Sequence, residues 1–264
     1  MIQIKNSEQI EGMRRACRVA ADVLDRLARM VAPGMSTIEL DQATKTLIEE
    51  YGARSACYDY RAGRLRFPSY ACLSVNEEIV HGIGRADKIL HMGDIITLDI
   101  CVVYQGWVGD NARTVTVGPV SAEVERLLEV TKDALFKGID MARNGNRVGD
   151  ISYTVQRHVE ANGMGVVREF VGHGVGRGMH EEPQVPNYGL RGRGPRLAPG
   201  MTICIEPMVT LGSPELTIGP DGWVARARDG KPAAHFEHTV LITNEEPEIL
   251  TLPSAVANEF ERHA

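Results

Sequence analysis

No apolar run in this 264-residue sequence approaches the roughly 18 residues that a membrane-spanning helix needs, so nothing in it is built to cross a bilayer that way. The start, MIQIKNSEQIEGMRR, lacks the basic-then-apolar order of a secretory leader. Cysteine is scarce and unpaired. Cys17, Cys57, Cys72, Cys101 and Cys204 are odd in number and form no CxxC, which argues against disulfides or a thiolate zinc site and for a reducing cytoplasm. Positive charge is in deficit as well: a net charge of −6 gives no reason to expect a nucleic-acid partner, and the one basic cluster, Arg61, Arg64 and Arg66, reads as a solvated loop. What remains is an ordinary globular composition, and the length suits one large domain spanning 1–264.

Apolar residues recur at helical spacing over 7–31 (Ile10, Met13, Cys17, Ala20, Val23, Leu24, Leu27), with Ser7 at the start and Pro33-Gly34 beyond the end. A second helix is expected over about 37–51, where Ser36 and Glu39 have capping-box spacing and Gly52 stops the run. The same order returns at about 121–143 and 150–161, and a shift of 111 residues sets Gly34 on Gly145, Leu40 on Ile151, Glu49 on Glu160 and Gly52 on Gly163. Two similar halves follow, about 1–118 and 119–264, related by a pseudo-twofold axis. Strands are expected at about 70–80, 94–104 and 107–117 in the first half and 166–171, 201–206 and 235–243 in the second. Such a chain is α+β: a curved, mainly antiparallel sheet with helices covering one face and the other face free for a site.

The stretch LDICVVYQGWVGD puts an aspartate in each of two apolar runs. If Gln105-Gly106 is a two-residue hairpin loop, Tyr104 pairs with Trp107, Asp99 with Ala112 and Asp110 with Cys101. Period-two alternation then places Asp99 and Asp110 on one face as diagonal neighbours, roughly 7 Å apart. Their repulsion is roughly 2 kcal/mol at an effective dielectric near 20, which calls for a cation between them. An isolated pair reads equally well as turn caps or solvent-facing charges. The second half tips the balance, because MTICIEP ends a strand with Glu206 and HFEHTVLIT carries Glu237 near the head of another. Four strand carboxylates are too costly to bury unpaired.

The stretch VGHGVGRGMHEEP supplies imidazoles. Its glycines allow close backbone approach, and HEEPQVP rather than a helix follows, so it is not a dinucleotide-binding loop. A lone histidine is more often structural than a ligand; His173 and His180 beside four strand acids reverse that expectation. One imidazole with four carboxylates is a mainly oxygen-donor set that two divalent ions balance: manganese, iron(II) or cobalt, with zinc also admissible. Two such ions hold a water and make hydroxide available near neutral pH.

These residues resemble the type I methionine aminopeptidases of the pita-bread fold, through SVNEEIVHGI, LDICVVYQGWVGD, VREFVGHGVGRGMHEEPQV, PGMTICIEPMV and DGWVARARDGKPAAHFEHTV, over about 5–253. The resemblance implies that Asp99, Asp110, His173, Glu206 and Glu237 bind two metals, with Asp110 and Glu237 bridging. It implies that His81 contacts substrate near the scissile amide, that His180 stabilises the tetrahedral intermediate, and that Cys72, Tyr60, Phe67 and Trp223 hold the methionine side chain. It also implies attack by a metal-bridging hydroxide on the first peptide bond of nascent chains whose second residue is small. With the cytoplasm read from the cysteines, the expected partners are nascent chain N-termini, at the ribosome or away from it, and a monomer is the default state.

In three places the sequence departs from the family pattern. YDYRAGRLRF is longer than its bacterial counterpart, which clouds the role of Tyr60; Met179 stands where phenylalanine is common, and His235 where glutamine is common. A prolidase would use much the same metal set, but prolidases generally carry an extra N-terminal domain and this chain starts almost at the catalytic unit. A binding-only relative would be expected to have lost ligands, and none is lost.

Overall fold

A computed structural model describes residues 1–255, so the domain limit drawn to 264 runs past the described residues. Asn6, rather than Ser7, caps the first helix, α1 (Ser7–Met30): its carboxamide accepts the Gln9 amide at 3.0 Å and the Gln9 side chain accepts the Asn6 amide at 3.0 Å. The reciprocal pair satisfies two donors that open the helix, leaving Ser7 as its first residue. Helix α2 (Thr37–Glu50) begins at the expected box, with the Ser36 amide donating to Glu39 Oε2 at 2.7 Å. The strands β1 (Cys72–Val75), β2 (Ile95–Tyr104) and β3 (Trp107–Thr116) follow. Then come α3 (Ala122–Asp140), α4 (Val148–Ala161), β4 (Gly172–Gly174), β5 (Glu181–Val185), β6 (Thr202–Ile205) and β7 (Ala233–Leu241). Gly34 and Gly145, equivalent in the sequence repeat, both turn the chain between paired helices in the left-handed region, at φ 88° and 92°.

The principal sheet runs β2-β3-β7-β6-β4-β5, with β1 paired to β2 and every pairing antiparallel. The Gln105-Gly106 loop sets the expected register, Tyr104 to Trp107, Asp99 to Ala112 and Cys101 to Asp110. Two strand expectations need correction. The run 70–80 is two strands, β1 and Glu78–Val80, broken at Asn76, which sits at φ 54°. The run 166–171 is not a strand: Gly165–Val166 ends early, and Phe170 meets the His81 ring edge to face at 5.1 Å instead of entering a ladder.

Alternation along the strands separates two chemistries. On one face Ile96, Leu98, Ile100 and Val102 pack with Val23, Leu27, Leu40 and Leu47 of the first helix pair. In the second half Ile203, Ile205, Phe236 and Val240 pack with Leu127, Ala134, Ile151 and Val155 of the other pair. The opposite face carries Thr97, Asp99 and Cys101 on β2, opposite Thr114, Ala112 and Asp110 on β3. Glu237 of β7 pairs with Ala112, and Cys204 of β6 with Thr239, on that same face.

α1 lies close against β3 because Gly109 has no side chain: a Cβ there would sit 2.3 Å from the Ala16 carbonyl oxygen. Gly109→Ala therefore forces the helix away from the strand that carries Asp110. We expect a loss of roughly 1–3 kcal/mol in urea unfolding; an unchanged midpoint would show that the helix is not seated there.

Candidate active site

Every residue selected from the sequence lines one cavity of about 310 Å³. Asp99, Asp110, His173, Glu206 and Glu237 make up its polar lining, Cys72, Phe67 and Trp223 are apolar, His81 lies in contact with Trp223, and Tyr60 and His180 are exposed. The acids come from β2, β3, β7 and the residue just after β6, and His173 comes from β4. Glu237 is mid-strand in Ala233–Leu241 rather than at the strand head. Glycines 172 and 174 around His173 are explained by strand packing: a Cβ on Gly174 would lie 2.2 Å from the Glu182 carbonyl oxygen.

The donor set fits divalent metal. His173 Nδ1 lies 3.0 Å from the Gly174 carbonyl oxygen, so it carries the hydrogen and donates it there. The lone pair of Nε2 is thereby aimed at Asp110 Oδ2, 3.8 Å away, and Glu206 Oε1, 3.4 Å away. A lone pair facing ionised carboxylates is repulsive unless a cation, or a proton held by one of them, lies between. Burial, with His180 adding to it, holds the His173 pKa at about 4, so the ring is not itself that cation near neutral pH. Burial first, and repulsion among the acids second, pushes Asp110, Glu206 and Glu237 well above the usual carboxylate range, and burial lifts Asp99 to about 6. Glu237 Oε1 is buried with no hydrogen-bond partner among the described residues.

Two more histidines complete the cavity. His81 sits at φ 61°, its ring edge-on to Phe170 and to Trp223, and burial lowers its pKa to about 4. A neutral imidazole that can donate or accept a proton results. His180 Nδ1 is 3.0 Å from the Tyr60 hydroxyl, and its ring stands edge-on to His173 at 4.5 Å. The segment that obscured Tyr60 in the sequence forms an exposed hairpin, Arg61–Ala62 with Leu65–Arg66, and Ala62 lines the cavity. Arg66 pairs with Asp59 at 3.0 Å, and the three arginines are exposed.

Several lining residues lie outside the expectations drawn from the sequence. Phe170, Met208 and Cys57 line the cavity, and Phe67 meets Trp223 edge to face at 5.3 Å. Cys204 Sγ lies within 4.8 Å of ligand atoms of Asp110, His173 and Glu237, although no cysteine was expected at the centre. Burial and the neighbouring Glu237 keep its thiol protonated, and it contacts Thr239 Oγ1 at 3.5 Å. His235, noted in the sequence only as a departure, also lines the cavity. A period-two count from Glu206 and Glu237 finds both residues.

Fold and site together define a metallopeptidase, and the chain belongs to metallopeptidase family M24, whose pattern matches residues 11–244. Within that family it stands with the methionine aminopeptidases. The methionine aminopeptidase of Clostridium acetobutylicum is 44% identical over 252 residues, 96% of this chain and 99% of that protein. The crystal structure of methionine aminopeptidase from Rickettsia prowazekii superposes with a TM-score of 0.92 at 38% identity, covering 96% of this chain and 100% of that one. The fold is thus the pita-bread fold. The prolidase from Pyrococcus horikoshii shares it at 22% identity and a TM-score of 0.75, with only 64% of that chain covered.

Asp99 gives a pH test. Its folded pKa of about 6 exceeds the unfolded value, so its contribution to stability is present at low pH and is lost as pH rises through about 6. In metal-free protein, Asp99→Asn should melt above the parent by a margin that widens from pH 4 to pH 8. The buried histidines shift the other way but are common to both proteins and cancel. Calorimetry in chelator measures the margin, and a variant melting below the parent at pH 8 contradicts the crowding of charge described here.

Proposed function

We propose that the chain is a dinuclear aminopeptidase that removes an N-terminal methionine when the second residue is small. The observation that carries this reading is the cavity itself, in which an apolar wall of Phe67, Cys72 and Trp223 adjoins a cluster of four carboxylates and an imidazole. In this reading Asp99, Asp110, His173, Glu206 and Glu237 would hold the two ions, with Asp110 and Glu237 serving both. Manganese, cobalt and iron(II) suit so oxygen-rich a set, and zinc is admissible. When bound, such ions supply an activated water near neutral pH and polarise the scissile carbonyl.

The chain's own residues do the rest. A methionine side chain buried against Phe67, Cys72 and Trp223 gains roughly 1.5–3 kcal/mol over an exposed one, which orients the first peptide bond towards the carboxylate end. Neutral His81 donates to the scissile amide and assists proton transfer to the leaving nitrogen. With the Tyr60 hydroxyl donating to His180 Nδ1, the His180 Nε2 hydrogen is free for the charge developing on the substrate carbonyl oxygen. Tyr60, Ala62 and Met179 also line the cavity, and in this reading a small second residue passes them without a clash.

The same reading makes 1–264 one catalytic unit with pseudo-symmetric halves, a monomer acting in the cytoplasm on nascent chains at the ribosome. Five free, buried cysteines support the reducing compartment, and no helix among the described residues is long and apolar enough to cross a membrane.

Exhaustive chelation should abolish hydrolysis, and manganese, cobalt or iron(II) should restore it; full activity in demonstrably metal-free protein refutes the mechanism. His81→Ala should lower kcat roughly 100-fold or more with metal retained, whereas Asp99→Asn should lose metal affinity, as read by calorimetry. Equal metal loss in the two would erase the division of roles. Among Met-Ala-Ser, Met-Leu-Ser, Ala-Ala-Ser and the dipeptide Met-Pro, the first should have the highest kcat/KM. A preference for the dipeptide, or indifference to the first side chain, would move the assignment to a prolidase-like enzyme.

A further inference from the structure

His235 is 2% exposed, and neither of its ring nitrogens has a hydrogen-bond partner among the described residues. Two unpaired nitrogens on one buried ring are costly, because each loses its hydrogen bonds to water and gains none in return. The backbone holds the ring in place regardless. The His235 amide donates to Thr114 Oγ1 at 2.9 Å, and the Thr114 hydroxyl donates to the His235 carbonyl at 3.0 Å. His235 precedes Glu237 by two residues on β7, so both side chains face the cavity.

The charged group facing the ring is Glu206, whose Oε2 lies 3.7 Å from His235 Nε2. The other carboxylate oxygen, Oε1, faces His173 Nε2 at 3.4 Å. Glu206 thus stands between two imidazoles, one oxygen towards each, while its own carbonyl is fixed by the Asn187 side-chain amide at 2.9 Å. His173 turns a lone pair towards Glu206, because its hydrogen is on Nδ1. His235 has no competing acceptor, so it is free to carry its hydrogen on Nε2.

We infer that His235 is a positioning residue for the metal centre: its Nε2–H donates to Glu206 Oε2 and leaves Oε1 as the single oxygen shared with His173 towards a metal ion. The inference rests on the metal assignment proposed above. Closing 3.7 Å to hydrogen-bond length needs a shift of less than one ångström, which the side chain of Glu206 supplies by rotation. The bond then removes one of the two unpaired nitrogens and fixes one mode of ligation by Glu206. Partners that orient a ligand in this way typically change metal affinity roughly 10- to 100-fold when they are removed.

The test compares the full chain with His235→Leu, His235→Gln and His235→Asn, titrating each metal-free protein with manganese by calorimetry and recording the visible spectrum of the cobalt-loaded forms. His235→Leu should bind the ion at the Glu206 position about 10- to 100-fold more weakly and shift the cobalt bands. Its metal-free form should melt at or above the parent, because an apolar group of similar size leaves no unpaired nitrogen there. His235→Gln, whose amide reaches as far, should restore affinity and spectrum; His235→Asn, one methylene shorter, should not, and it serves in place of the leucine variant if that fails to fold. A merely structural histidine would lower the melting temperature of all three and leave affinity and spectrum unchanged, which overturns the inference. A parent protein that binds no divalent ion overturns the metal reading itself, so the two failures are distinguishable.

Discussion

Asp110, Glu206 and Glu237 are buried on one face of one sheet with the Nε2 lone pair of His173 turned towards two of them. Each of these groups is held away from its ordinary protonation range by burial and, among the acids, by the others. Such an arrangement is unfavourable in the absence of positive charge, and among the described residues no lysine or arginine lines the cavity to supply it. A divalent cation removes the repulsion and uses the lone pair, and for this reason the donor set, rather than the pocket shape, is the stronger argument for the chemistry.

The scaffold tolerates this concentration of charge because its strands are two-sided. Each strand residue that faces the site has neighbours that face a helix pair: Leu98 and Ile100 flank Asp99, and Phe236 flanks Glu237 with its side chain against the second-half core. Apolar burial on the outer face offsets the strain on the inner one. The close seat of α1 on Gly109 and the threonine link from Thr97 through Thr114 to His235 hold the strands in register just where Asp99, Asp110 and Glu237 emerge.

How much of this was legible in the sequence depended on how locally each feature is determined. The Asp99–Asp110 face was readable because a two-residue loop leaves one register, and that register then places every side chain by alternation. The Ser36–Glu39 cap was readable for the same local reason, whereas Asn6 and Ser7 are adjacent residues of similar capping preference and only the observed hydrogen bonds separate them. The segment 166–171 has strand composition, but Phe170 is recruited by His81, a contact between distant parts of the chain that no local pattern encodes. The pocket wall of Phe67, Cys72 and Trp223 comes through family resemblance, since from sequence alone Cys72 and Trp223 read as core. His235 and Cys204 are within reach of the alternation rule, two residues before Glu237 and Glu206, but a histidine or a cysteine in an apolar strand does not stand out as an acid does.

The central claim is that five side chains from both halves of the chain meet at divalent metal. It is tested most directly by crystals grown with manganese(II) and measured on both sides of its absorption edge. The account predicts anomalous peaks in the cavity, bounded by Asp99, Asp110, His173, Glu206 and Glu237, with Asp110 and Glu237 touching more than one peak. A map with no anomalous density there, or with manganese only on surface carboxylates, would contradict it.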